Sequence, residues 1–139
     1  MRKYCTYYIK QIHDYIEKRA NNELRTCDLT LAQHTVLFLL MNTSFGQLEF
    51  KALEKELGVA QSTTVGIIER LAQKGFVEKI DSVEDRRIKI VRITEQGKSA
   101  YKTTQIDMNA GENDILKGLT GVEKEEFWRL LNKVCKTIE

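Results

Sequence analysis

The sequence predicts a mainly α-helical fold with one small β-hairpin. Three observations carry that reading. Apolar residues recur at helical spacing along most of the chain, the spacing turns strand-like only between Phe76 and Ile93, and none of the 139 residues is a proline. Without that ring, long helices run free of the break it imposes.

Taken in order, Tyr8, Ile9, Ile12, Tyr15 and Ile16 mark an amphipathic helix over residues 4–20. Thr30 suits the N-cap of a second helix, dense in Leu31, Val36, Leu37, Leu39, Leu40 and Met41, which closes at Asn42-Thr43-Ser44 and Gly46. A short helix over 49–57 puts Phe50, Leu53 and Leu57 on one face, and Gly58 can take the left-handed conformation that ends it. A fourth helix over 61–74 turns Ile67, Ile68 and Leu71 inward and stops at Gly75. Residues 76–80 and 88–93 then read as two strands around the charged turn 81–87, a hairpin. Thr94 caps a helix from about residue 95 toward 117, roughly 35 Å long at the helical rise, with Gly111 inside it as the site of a bend or break. Gly121 introduces a last helix with Phe127, Leu130, Leu131, Val134 and Ile138 along one stripe. The length suits a single domain over 1–139.

The charged fraction of 30% and hydrophobic fraction of 42% describe an ordinary soluble chain, and a net charge of +2 means that any polyanion must be met by local positive charge. Cys5, Cys27 and Cys135 are dispersed, and neither His13 nor His34 stands at zinc-ligand spacing from them. No metal and no cofactor is expected, and the cysteine usage suits a reducing, cytoplasmic setting. Lys10, His13, Asp14 and Glu17 interrupt any apolar leader, and the longest apolar run, Val36 to Met41, is too short to span a membrane. No Ser/His/Asp set or Gly-rich phosphate loop is present, so an enzyme is not expected.

The helix ending at Gly58, the tight turn Val59-Ala60 and the helix opening at Gln61-Ser62-Thr63-Thr64 together form a helix-turn-helix pattern. Small polar side chains at the start of the second helix can enter a major groove and bond to base edges or phosphates. Gly66 permits close backbone approach, and Arg70 and Lys74 can reach phosphates further along. Ala60 occupies the cap position where Ser or Asp would serve better, leaving Gln61 or Ser62 to substitute. The plainer reading is a helical hairpin with a solvated polar face. The hairpin turn weighs against it. Between Arg70 and Lys98 eight basic residues face five acidic ones, and Asp85-Arg86-Arg87 sits in the turn itself. Arginine suits a narrow minor groove, and a neighbouring carboxylate can hold one guanidinium in place.

With Leu57-Gly58-Val59-Ala60-Gln61-Ser62-Thr63-Thr64, Ile68-Glu69-Arg70-Leu71, Lys74-Gly75-Phe76-Val77, Asp85-Arg86-Arg87 and Ile93-Thr94-Glu95-Gln96-Gly97, the chain resembles the MarR family of winged helix-turn-helix regulators. The resemblance is most specific over residues 48–98. It implies a winged helix-turn-helix core over 30–98, dimerisation helices over 1–28 and 99–139, and a homodimer that binds a pseudopalindromic operator in double-stranded DNA as a repressor. It implies that the helix from Gln61, with Ser62, Thr63, Thr64 and Gly66, is the recognition helix, with Arg70 among its DNA-binding residues, and that Asp85 orients Arg87 into the minor groove with Arg86 on the backbone. It further implies release by a small aromatic or other small-molecule effector, with Tyr8, Tyr15, His34 and Leu37 as candidate pocket residues; the plainer reading of His34 is a satisfied, partly buried histidine. A peroxide-sensing branch of the family carries an early reactive cysteine, which makes Cys5 a candidate redox residue, but Leu31 and His34 stand where that branch has tyrosines. Two alternatives therefore remain: thiol-based redox sensing through Cys5, and a winged-helix protein-interaction module without DNA binding.

Overall fold

The computed structural model describes residues 1–104 and 109–139. In chain order the elements are α1 (Cys5–Leu24), a 3-10 turn (Arg25–Cys27), α2 (Leu31–Met41), β1 (Gln47–Glu49), α3 (Phe50–Leu57), α4 (Gln61–Gln73), β2 (Val77–Asp81), β3 (Lys89–Ile93), α5 (Glu95–Leu116) and α6 (Gly121–Ile138). They fall into two compact units, Met1–Ile106 and Asp107–Glu139.

The helix boundaries follow local chemistry. Thr30 Oγ1 accepts from the Gln33 amide at 3.2 Å while Gln33 Oε1 accepts from the Thr30 amide at 3.2 Å, a reciprocal capping box that starts α2. Thr120 and Glu123 repeat the arrangement at the start of α6. Gly58 ends α3 at φ 63°, where a side chain would be strained. α1 extends to Leu24, further than its apolar spacing suggested, because its last turns carry the buried Ala20 and Leu24. α5 passes through Gly111 without a break.

In the first unit α2 is the central element, touching α1, α3, α4, β1 and β3. Val36, Leu37 and Leu40 of α2 are fully buried with Leu53 of α3 and Leu71 of α4, and Ile68 and Val91 are nearly so. Each such aliphatic side chain contributes about 1.5–3 kcal/mol by leaving water. The core thus fixes α3 and α4 against one helix and leaves their far faces to solvent.

The expected two-stranded hairpin is a three-stranded antiparallel sheet in the order β1-β3-β2. β3 pairs with β2 from Val77↔Ile93 to Asp81↔Lys89, and on its other edge with β1 from Gln47↔Arg92 to Glu49↔Ile90. Glu49, expected to open the short helix over 49–57, instead ends β1, and α3 begins at Phe50; the strand conformation of Gln47-Leu48-Glu49 comes from β3, whose Ile93 amide also donates to the Gly46 carbonyl at 2.8 Å. Where the sheet meets α5, Thr94 Oγ1 donates to the Gly75 carbonyl at 2.6 Å and accepts from the Gly97 amide at 3.0 Å. A Cβ on Gly97 would lie 2.1 Å from the Phe76 carbonyl oxygen, so only glycine lets α5 start this close to β2.

In the second unit none of α6 is buried, and Trp128, Leu130, Leu131, Val134 and Ile138 are exposed along it.

Candidate nucleic-acid interface

α4 buries Thr64, Ile68 and Leu71, the i, i+4, i+7 stripe that faces α2. Its opposite face carries Gln61, Ser62, Thr63, Val65, Glu69 and Arg70, all exposed, with Gly66 half-exposed between them. Thr64 therefore leaves the candidate set: it is fully buried, and its Oγ1 donates to the Ala60 carbonyl at 3.3 Å. Ala60 is the N-cap, and no side chain caps α4; neither Gln61 nor Ser62 takes that role. The amides of the first turn stay open to solvent or to an incoming acceptor.

Lys74, expected to reach along DNA, points elsewhere. Its Nζ donates to Gln33 Oε1 at 2.9 Å and to the Asp28 carbonyl, and it lies 3.7 Å from the Asp28 carboxylate. It ties the end of α4 to the loop before α2. Arg70 and Arg86, by contrast, are exposed and make no ion pair or side-chain hydrogen bond among the described residues.

The β2–β3 turn is closed by the Ser82 amide donating to the Ile88 carbonyl at 2.9 Å and the Ile88 amide donating to the Asp85 carbonyl at 3.0 Å. Inside it, Asp85 accepts from three donors of Arg87: the backbone amide at 3.0 Å, Nε at 3.1 Å and Nη2 at 3.1 Å. These bonds hold the Asp85 carboxyl below the usual carboxylate range, the side-chain bond most of all. The Arg87 side chain is nevertheless 91% exposed. Other bases of the wing are matched: Lys89 with Asp81 at 2.5 Å, Arg92 with Glu78 at 3.5 Å and Lys98 with Glu95 at 3.0 Å. Among the described residues Arg70, Lys79 and Arg86 are exposed without an ion pair, and Arg87, though held by Asp85, faces outward. One groove of about 960 Å³ is lined by Val59 and Gln61, by Asp85 and Arg87 of the wing turn, and by α3 residues including Lys51 and Glu54.

The other predicted residues do not gather into one site. Leu37 is fully buried and belongs to the core. Tyr8 and Tyr15 are half-exposed on α1. His34 is buried and stacked on Tyr101 at a centroid distance of 5.3 Å, and burial lowers its pKa. It is not a satisfied histidine, because its buried Nε2 lacks a hydrogen-bond partner. Tyr101, its stacking neighbour, was missed in the sequence because α5 showed no apolar stripe there. Cys5, Cys27 and Cys135 are free thiols, and Lys3 lies 4.0 Å over the Tyr7 ring rather than on Cys5. His13, Asp14 and Glu17 bring ligand-type atoms within 4.8 Å of one another on α1, but all three are exposed and Asp14 is already held by Lys10 at 2.7 Å. This is the pattern of a solvated helix face.

Comparison with known proteins adds four findings. Residues 29–89 match the family model of the MarR family. The HTH-type transcriptional regulator YwoH of Bacillus subtilis is 28% identical over 130 residues, covering 94% of this chain and 93% of the relative. Among solved structures, a mutant MarR from E. coli complexed with operator DNA superposes with a TM-score of 0.83 at 25% identity, covering 93% of this chain and 91% of that one. BpsR of Bordetella bronchiseptica, whose DNA binding is regulated by 6-hydroxynicotinic acid, superposes with a TM-score of 0.85 at 20% identity over 96% and 94% of the two chains, a likeness of fold.

Proposed function

We propose that this chain, a MarR family transcription regulator through the domain at residues 29–89, represses by binding a pseudopalindromic operator as a homodimer and is released by a small-molecule effector. One observation carries the DNA-binding geometry: Gln61 at the start of α4 and Arg87 of the wing line the same groove. α4 enters the major groove through Gln61, Ser62 and Thr63, with Gly66 against the duplex and Arg70 on a phosphate. Arg87, oriented by Asp85, enters the adjacent minor groove, and Arg86 meets the backbone.

Dimerisation follows from two unpartnered stripes. Tyr8, Ile9 and Ile12 are exposed on α1, and Leu130, Val134 and Ile138 on α6. Apolar area of that kind is ordinarily covered by a partner, and a twofold partner sets two copies of α4 about one DNA turn, or a multiple of it, apart. Among the described residues no helix is long and apolar enough to cross a membrane, and action in the cytoplasm on chromosomal DNA fits this reading. An effector input has its parallel in BpsR.

The test is selection of bound sequences from a random duplex pool, followed by affinity measurement across salt. Arginine contacts to phosphates release counterions, so the logarithm of the affinity must fall linearly with the logarithm of salt. Recovery of an inverted repeat with that slope is expected. A pool that yields no bound sequence, or binding indifferent to salt, would overturn the proposal.

A further inference from the structure

The exposed face of α4 is polar except at two adjacent positions. Val65 is 37% exposed, and Gly66 sits beside it in mid-helix. Gly66 does not serve the fold, and Val65 stands apart from its core. Val65 lies outside the stripe of Thr64, Ile68 and Leu71 that packs inward. A Cβ on Gly66 would meet nothing within 4 Å, and Gly66 lacks the positive φ that would call for glycine. Valine and glycine are both poorer helix formers than alanine. Val65 is partly covered by the protein yet presents apolar surface on a polar face, and Gly66 weakens α4 without packing or conformational return inside it.

On the reading that α4 lies in a major groove, we propose that Val65 is a specificity-determining residue that meets the C5 methyl group of a thymine, and that Gly66 keeps the helix surface low enough for the contact. Val65 stands one helical turn beyond Gln61 and Ser62 on the same face, so it reaches the groove floor next to the bases those residues meet. Thymine is the only base that offers a methyl group there. Adenine, guanine and cytosine present polar atoms that a valine would strip of water without replacing their hydrogen bonds. A phosphate is excluded for the same reason. The polar neighbours Ser62 and Glu69, three residues before and four after, bound the apolar step and restrict it to a single base pair.

Uracil tests this directly, because it differs from thymine only by the missing methyl. Each thymine of a half-site in a duplex selected by the protein is replaced in turn by uracil, and affinity is measured by fluorescence anisotropy for the wild type, Val65→Ala and Val59→Ala. Val59 is an exposed apolar residue in the preceding turn. One position is expected at which uracil weakens wild-type binding about fourfold, the worth of a methyl group removed from water. Val65→Ala binds the thymine duplex more weakly by a similar factor and no longer distinguishes the two bases, while Val59→Ala still does. Circular dichroism checks that Val65→Ala retains its helices. The proposal is overturned if no uracil position weakens the wild type, if Val65→Ala keeps full uracil sensitivity, or if Val59→Ala loses it instead. Each of those results occurs with tight binding to the selected duplex, whereas failure to bind any duplex removes the DNA-binding reading itself.

Discussion

Asp85 holds Arg87 from two positions away along the same turn, taking its Nε and Nη2 at 3.1 Å each and its backbone amide at 3.0 Å. The carboxylate is turned into the wing while the guanidinium remains 91% exposed. An acid beside a nucleic-acid contact is thereby used to restrict rotation of the contacting group, so that less side-chain freedom is lost on binding.

Arg87→Ala is expected to weaken operator binding by at least about tenfold and to reduce the salt slope by about 1 for each subunit. Its thermal midpoint stays close to that of the wild type, since so exposed a side chain supports little of the fold. Asp85→Ala gives a smaller loss of affinity with the salt slope kept, because the arginine is still present but no longer aimed. Unchanged binding by Arg87→Ala removes the wing from the mechanism.

Two glycines in helices give opposite outcomes. Gly97→Ala drives a methyl group against the Phe76 carbonyl oxygen and is expected to destabilise the protein by about 3 kcal/mol. Gly66→Ala meets open space and is expected to stabilise it by about 0.5–1 kcal/mol while weakening DNA binding. Urea unfolding and anisotropy titrations measure the two quantities separately. A Gly66→Ala variant that binds DNA as well as the wild type shows that no close approach occurs at that position.

His34 links stability to pH. Burial lowers its folded pKa below the ordinary histidine value of 6.5, and its buried Nε2 has no acceptor waiting for a proton. Between the folded and unfolded pKa values the unfolded chain binds more protons, so stability rises with pH there. The contribution is fully present above about pH 6.5 and is lost as the pH falls toward the folded value. His34→Gln is expected to flatten this part of the stability profile. An equally steep acid limb in both proteins assigns it to other groups.

Val134→Glu places a charge in the middle of the exposed stripe on α6. The variant is expected to sediment as a monomer at micromolar concentration and to lose most of its operator affinity, since a single copy of α4 reaches one half-site. A variant that stays dimeric moves the interface away from α6.

Much of the fold is legible in the chain because its signals are local. Thr30 and Gln33 cap α2 from within one helical turn, Gly58 and Gly75 end α3 and α4 by their own backbone freedom, and the recurrence of Ile68 and Leu71 orients α4. The resemblance over residues 48–98 likewise rests on short runs of residues, and the match to the MarR family over residues 29–89 agrees with it. Other features depend on partners far away in sequence. Gln47-Leu48-Glu49 is a strand only because β3 supplies its hydrogen bonds. Lys74 turns from the proposed DNA face because Asp28 and Gln33 lie within its reach. Thr64 belongs to the core because α4 turns that face inward, and the burial of His34 is shared with Tyr101, which stacks on its ring from α5. Caps and turns are decided by neighbours within a few bonds, whereas burial and pairing are decided by whichever segments fold against a residue, and only the tertiary structure sets those.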